Sequence, residues 1–155
     1  AGKNRPPVWP PASSSAGWGN LPKRSSLPIA SFTFRPDLMR LLIIAASDPY
    51  RDLHAQELLD AMLVAATFGA EVSLLFQDAG VLQLLPDQDA ERLGRRSLSR
   101  QLDALPLFDI DRIYVDIHAL AGHGLKTFDL ALPVMALDAQ EMSALLAVHD
   151  QVIRT

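Results

Sequence analysis

Apolar and polar residues change rhythm along this chain in a way that marks out its elements. Leu41 to Ala46 is an almost unbroken apolar run, ending in Ser47-Asp48-Pro49. A run of that kind suits a central parallel strand covered on both faces, and it predicts a first strand over 40–47. From Leu53 onward the apolar positions Leu58, Leu59, Met62, Leu63 and Ala66 follow helical spacing, with Gln56, Glu57 and Asp60 interleaved. Asp48-Pro49 offers one start signal for this helix and Asp52 another, and Gly69 is placed to end it in a left-handed conformation. A second apolar run then predicts a strand over 71–77. Strand, loop, helix and strand make one βαβ unit, with loops at the carboxyl ends of its strands.

The rest of the chain repeats this plan. Gly80 to Leu85 is too apolar for a solvated loop and reads as a short helical turn, its leucines facing the core or a partner. Polar residues 87–94 read as a loop. Residues 95–105 read as a helix, with Leu98, Leu102 and Leu105 on one side and Arg95, Arg96 and Arg100 on the other. Ile113, Val115 and Ile117 alternate with Tyr114, Asp116 and His118, which predicts a third strand over 112–119. Residues 130–137 give a fourth strand, with Pro133 pushing it toward a sheet edge or a strand start. Asp138 and Glu141 have the spacing of a capping box opening a helix over 139–148. Residues 151–154 give a fifth strand. The order implies an α/β fold with a mainly parallel sheet of about five strands and right-handed crossovers.

Residues 1–38 do not share the pattern. They carry seven of the eleven prolines and six serines, with no useful apolar periodicity. Such a stretch buries too little surface to offset its ordering entropy, so it is expected to stay extended or disordered. Trp9, Trp18, Phe32 and Phe34 either dangle or dock on a groove. Met39 stands just before the first strand, and the domain is expected to start there, with 1–38 an extension that is flexible or not native.

Charge divides at the same place. Residues 1–38 have a net charge of +4 and residues 39–155 a net charge of −8. An acidic body repels phosphates, which argues against direct nucleic-acid binding. No run approaches the roughly 20 apolar residues of a membrane helix, and no secretory h-region is present; cytoplasm is the expectation. The sequence contains no cysteine, so it holds no disulfide, thiolate metal site or cysteine nucleophile.

Sites in open α/β sheets lie beyond the carboxyl ends of the strands. That places Asp48, Tyr50, Asp78, Gly80, Asp116 and His118 near one rim, with Leu84 and Leu85 beside them as candidate pocket or interface residues. Asp48, Asp78 and Asp116 could form a phospho-acceptor site with Mg²⁺, but Lys126, the body's only lysine, follows a turn rather than a strand end. His118 and His123 match no usual zinc spacing. His118 could act as a general base, yet no nucleophile is paired with it. Neither GxGxxG nor GxxxxGK[ST] occurs, so no dinucleotide or P-loop function is expected. No cofactor is implied. The apolar excess at Leu82, Leu84, Leu85, Leu107 and Phe108 points to a subunit of an assembly.

Three stretches carry a family resemblance. GVLQLLPDQ (80–88), LPLFDIDRIYV (105–115) and the ending HDQVIR (149–154) resemble segments of the DsrE/F-like family, specifically its TusC (DsrF) branch. The resemblance covers 39–155 and implies a flavodoxin-like domain with helices on both faces of the sheet. It further implies a non-catalytic subunit of a TusBCD- or DsrEFH-type sulfurtransferase complex. TusB- and TusD-like (DsrH- and DsrE-like) subunits would be its partners in a heterohexamer. TusA-like and TusE/DsrC-like carriers would deliver and accept sulfur, on the way to 2-thiouridine at the tRNA wobble position or in dissimilatory sulfur oxidation. The persulfide cysteine of such complexes belongs to the TusD/DsrE subunit, at a position corresponding to Val115–Asp116 here. Three features depart from the branch. The acid before the QLL segment is displaced to Asp78, the arginines after the third strand are missing, and Asp48-Pro49-Tyr50-Arg51 replaces a smaller first loop. A stand-alone homo-oligomeric small-molecule-binding domain of DsrE type is the alternative, and an enzyme using His118 or Asp116 a third.

Overall fold

Arg40–Ala45 forms β1, five of its six residues buried, as a strand paired on both sides must be. The structure is a computed structural model that describes residues 38–155; the expectations for the proline-rich segment before them lie outside the described residues. The remaining elements are α1 (His54–Thr67), β2 (Glu71–Phe76), α2 (Leu98–Asp103), β3 (Arg112–Asp116), α3 (Ile117–Gly122), β4 (Met135–Leu137), α4 (Ala139–Ala147) and β5 (Gln151–Arg154). Short 3-10 segments lie at Asp78–Leu84, Ala90–Leu93, Leu105–Phe108 and Thr127–Asp129. The five strands form one sheet in the order β4-β3-β2-β1-β5, and every pair is parallel. This is the flavodoxin-like α/β arrangement that the residues and the resemblance implied.

Side chains alternate across a strand, and here the alternation divides the core. Leu41, Ile43 and Ala45 of β1 share a face with Val72, Leu74 and Phe76 of β2 and Ile113 and Val115 of β3. That face packs on Leu58, Leu59 and Met62 of α1 and Leu98 and Leu102 of α2. Leu42, Ile44, Ser73, Leu75 and Tyr114 point the other way and are also buried, on the side of α4, where Met142 Sδ meets Gln77 Nε2 at 3.4 Å. A fully buried Leu or Phe contributes about 1.5–3 kcal/mol over leaving it exposed. Exposed ion pairs such as Arg92–Asp89 contribute about 0–1, so these two apolar faces set the fold.

Local chemistry explains the element boundaries. Gly69 has φ of 88°, and its N–H bonds the Ala66 carbonyl at 2.9 Å, closing α1 as expected. The helix starts at His54, later than Asp48-Pro49 would have it. Asp48 Oδ1 is already held by the N–H groups of Tyr50 and Arg51 at 3.0 and 3.1 Å, while Asp52 takes the His54 N–H at 3.0 Å. The capping box of α4 is present: Asp138 accepts from Glu141 N at 2.9 Å and Glu141 from Asp138 N at 2.8 Å.

Three expectations are corrected. The third strand stops at Asp116 rather than Ala119, because the Asp116 carboxylate captures the His118 N–H at 2.8 Å and caps α3. The fourth strand keeps only Met135–Leu137 of 130–137. The segment before it is drawn off the ladder, with Ala131 N bonded to the Leu84 carbonyl and Leu132 buried in the core. It is an edge strand, with Pro133 just outside it, in keeping with the proline's missing donor. The loop over 87–94 contains the 3-10 turn Ala90–Leu93, closed by Gly94 at φ of 63°.

At the amino ends of the strands Arg40 grips Asp150 with two side-chain bonds, at 2.7 and 3.1 Å, holding the Asp150 carboxyl at about 2. Glu71 pairs with Arg112. His149 joins the end of α4 to the sheet: Nδ1 lies 2.7 Å from the Leu145 carbonyl and Nε2 2.9 Å from Ser73 Oγ. A carbonyl only accepts, so Nδ1 donates and Ser73 Oγ–H donates to Nε2. Burial, the largest cause, pulls the His149 pKa down, and the charges of Arg112 and Arg40 act in the same direction.

Two predictions follow from this packing. The unfolded chain binds a proton at His149 more readily than the folded one, so stability should fall as pH drops below the ordinary imidazole value of about 6.5. Urea titrations between pH 7.5 and 5.5 should show that slope, and His149→Gln should flatten it; an unchanged slope would remove His149 as its source. A Cβ on Gly80 would sit 1.9 Å from the Ala45 carbonyl oxygen, backbone against backbone, whereas one on Gly122 meets nothing within 4 Å. Gly80→Ala should therefore cost about 2–3 kcal/mol and Gly122→Ala stay within about 1 kcal/mol of the parent, measured by equilibrium unfolding.

Candidate functional site

The carboxyl rim is roofed by residues 77–88. Gln77 N bonds the Ala45 carbonyl at 3.0 Å, turning the chain across the end of β1. Asp78 follows with φ of 48°, and its carboxylate takes Arg154 Nη2 of β5 at 2.7 Å. Gly80 lies flat on the β1 backbone, where no side chain fits. Val81 and Leu84 are fully buried in the core, and Leu82 packs against it. Gln83, 1% exposed, donates Nε2 to the Ser47 carbonyl at 2.9 Å. Gln88 Nε2 donates to the Leu82 and Leu85 carbonyls at 2.7 and 2.8 Å, closing the turn.

Most of the expected rim residues are thus accounted for by local structure. Asp48 closes its own turn, Asp116 caps α3 and Asp78 holds Arg154. Gly80 permits a backbone contact, Leu84 fills the core, and Leu85 is half-buried at the end of the roof. His118 is exposed on α3 instead of ending a strand. Tyr50 packs against the core. Its hydroxyl lies toward the Leu98 backbone without a regular hydrogen bond, and burial raises its pKa, so the phenol stays neutral. Burial likewise pushes Tyr114 up to about 12. Among the described residues no three of His, Asp and Glu are placed to hold a metal ion, and no helix is long and apolar enough to cross a membrane.

Gln83 and Gln88 are the residues that periodicity missed. The available signal was an uncharged amide inside an apolar run: Gln83 stands between Leu82 and Leu84, and an amide there must satisfy a backbone group. The other hydrogen-bonded pair with chemical potential, Ser73 and His149, lies in the opposite half of the sheet. Ser73 is wholly buried, so its hydroxyl has no approach for a substrate and serves to hold α4. Among the described residues, the arrangement shapes a closed surface over the carboxyl ends of the strands.

A family profile, the DsrE/DsrF-like family, matches residues 39–155, and the chain belongs to this family. Within it the chain falls in the TusC (DsrF) branch. It is 41% identical over 113 residues to "Protein TusC homolog" of Pseudomonas aeruginosa, covering 73% of this chain and 95% of that protein. It is 29% identical over 114 residues to "Protein TusC homolog" of Aliivibrio fischeri, covering 74% and 97%. Over 82 residues it is 38% identical to "Intracellular sulfur oxidation protein DsrF" of Allochromatium vinosum, covering 53% and 60%. The crystal structure of the ychN protein from E. coli superposes with a TM-score of 0.65 at 16% identity, over 76% of this chain and all of that one; it shares the fold.

The roof generates one prediction. Gln83→Leu keeps the volume but removes the donor to the half-buried Ser47 carbonyl, so it should lower stability by about 0.5–1.5 kcal/mol. Gln83→Glu should be at least as harmful near neutral pH and partly recover on acidification, when the carboxyl can carry a proton to the carbonyl. Chemical unfolding of both variants checks this.

Proposed function

We propose that this protein is a non-catalytic subunit of a sulfur-relay complex of the TusBCD or DsrEFH type. The observation that carries the reading is that a chain of the TusC branch has no thiol at the carboxyl end of β3, or anywhere in its 155 residues. In the related sulfur-carrying subunit the persulfide would sit at that strand end. Here the corresponding Asp116 is engaged in capping α3. The chain's contribution is then structural. It buries apolar surface against TusB- and TusD-like subunits of a heterohexamer, and the closed interface shields the partner's persulfide from water and stray thiols. Phe68, Leu107 and Phe128, exposed by 87%, 84% and 77%, are apolar side chains that such contacts would bury. TusA-like and TusE/DsrC-like proteins are the carriers that the complex would serve, in the cytoplasm, with tRNA wobble 2-thiouridine as the end product.

Affinity purification of the tagged chain from its own organism should recover TusB- and TusD-like subunits, and deletion of its gene should reduce 2-thiouridine in tRNA digests. A homo-oligomer with a bound small molecule and no such partners would support the stand-alone alternative. Recovery of the partners with unchanged tRNA thiolation would keep the subunit role and move the end product to sulfur oxidation.

A further inference from the structure

Four of the nine Lys and Arg residues of the acidic body fall within nine positions, Arg92, Arg95, Arg96 and Arg100, and residues 92–102 contain no acid. The fold displays most of this cluster on the surface. Arg92 and Arg100 are 86% and 80% exposed, Arg96 is exposed, and Leu93 beside them is 61% exposed. Arg95 is partly buried and donates to the Asp52 carbonyl at 2.5 Å, tying the segment to the loop that follows β1. Arg100 reaches back to Glu91 at 3.8 Å, from α2 to the 3-10 turn that carries Leu93. The Ser97 and Ser99 hydroxyls share a 2.8 Å hydrogen bond in the same stretch.

We propose that the surface over residues 92–100 is a docking face for an acidic segment of a partner protein, with Leu93 as an apolar anchor and Arg92, Arg96 and Arg100 as its charges. Two cluster arginines already have carboxylates, Asp89 on Arg92 at 2.7 Å and Glu91 on Arg100. Exposed pairs of this kind hold by little in water, and a partner's carboxylates can exchange with them while the guanidiniums keep their forked geometry. Arg96 makes no hydrogen bond or ion pair among the described residues. A protein fits the face better than a nucleic acid. The patch is short, and the stretch offers no aromatic ring on which bases could stack. Exposed arginines beside an apolar side chain also suit a protein interface, where Arg is enriched and the rim is polar. The proposal stands apart from the sulfur-relay reading, because it rests on the charge and exposure of this face alone.

Fluorescence anisotropy with the full chain tests it, using a labelled peptide of repeated Glu-Glu-Leu and a labelled single-stranded RNA of the same length. The peptide should bind, more weakly at about 200 mM than at about 50 mM salt. Arg96→Glu with Arg100→Glu should weaken it at least about tenfold, and Leu93→Ser several-fold, while Lys126→Glu, an equal charge reversal for one site elsewhere, should stay within about twofold. Circular dichroism confirms folding of each variant. If the double variant unfolds, Arg96→Glu alone serves, with an expected loss of a few-fold. Failure of the peptide to bind, equal binding to the variants, or tighter binding of the RNA would overturn the proposal. So would sedimentation showing that the face joins two copies of this chain and that the arginine variant separates them.

Discussion

The carboxyl end of β1 depends on one contact between backbones. Gly80 is pressed against the Ala45 carbonyl so closely that a methyl group has no room, while the same carbonyl takes the Gln77 N–H. From that contact the segment 77–88 becomes a roof, pinned at Ser47 by Gln83, at β5 by Asp78 and at the entrance to β4 by the Leu84 carbonyl. Three strands and a long connection are tied by about a dozen residues. The stretch that resembles the family most plainly is therefore a structural fastening. Its residue types follow from the fastening: a glycine for approach, leucines for burial and amides for stranded carbonyls.

Much of this architecture is legible in the sequence because long apolar runs and helical spacing report burial directly. β1, α1, β2, α4 and β5 stand within a few residues of where periodicity puts them. The legible signals fail where a side chain overrides the pattern. Ile117 continues the alternation of β3, but Asp116 satisfies the His118 N–H and turns the chain into a helix. Residues 130–134 look like strand, yet Leu132 goes into the core and Ala131 bonds to the roof instead of to β3. A strand-end aspartate has backbone N–H groups within reach before it has any ligand, and Asp48 and Asp116 are used in that way. Gln83 escaped notice because hydropathy counts it as a polar interruption, whereas its meaning lies in a carbonyl 36 residues away.

The two ends of the sheet are built on different physics. The carboxyl rim is closed by backbone contacts and amides, and the Asp78–Arg154 ion pair joins it to β5. The amino rim is closed by charge: Arg40 with Asp150, Glu71 with Arg112, and a neutral His149 seated between α4 and Ser73. Acid therefore acts on the amino rim through His149, at the same turn that delivers β5 to its place beside β1.

That placement of β5 has a consequence for how the chain is made. β1 pairs with β2 almost at once, across a single helix, but its other edge waits for residues about 110 positions further on. Loop closure over such a separation is slow compared with local pairing. During synthesis, then, the apolar edge Leu41–Ile44 stays unpaired while four-fifths of the sheet already exists. An open strand edge is a template for any other extended chain, so this is the interval in which a nascent molecule is most exposed to mispairing. The late arrival of Gln151–Arg154 makes this segment the closing stave of the sheet, and a chain stalled before it would carry a nearly finished domain with its stickiest edge uncovered.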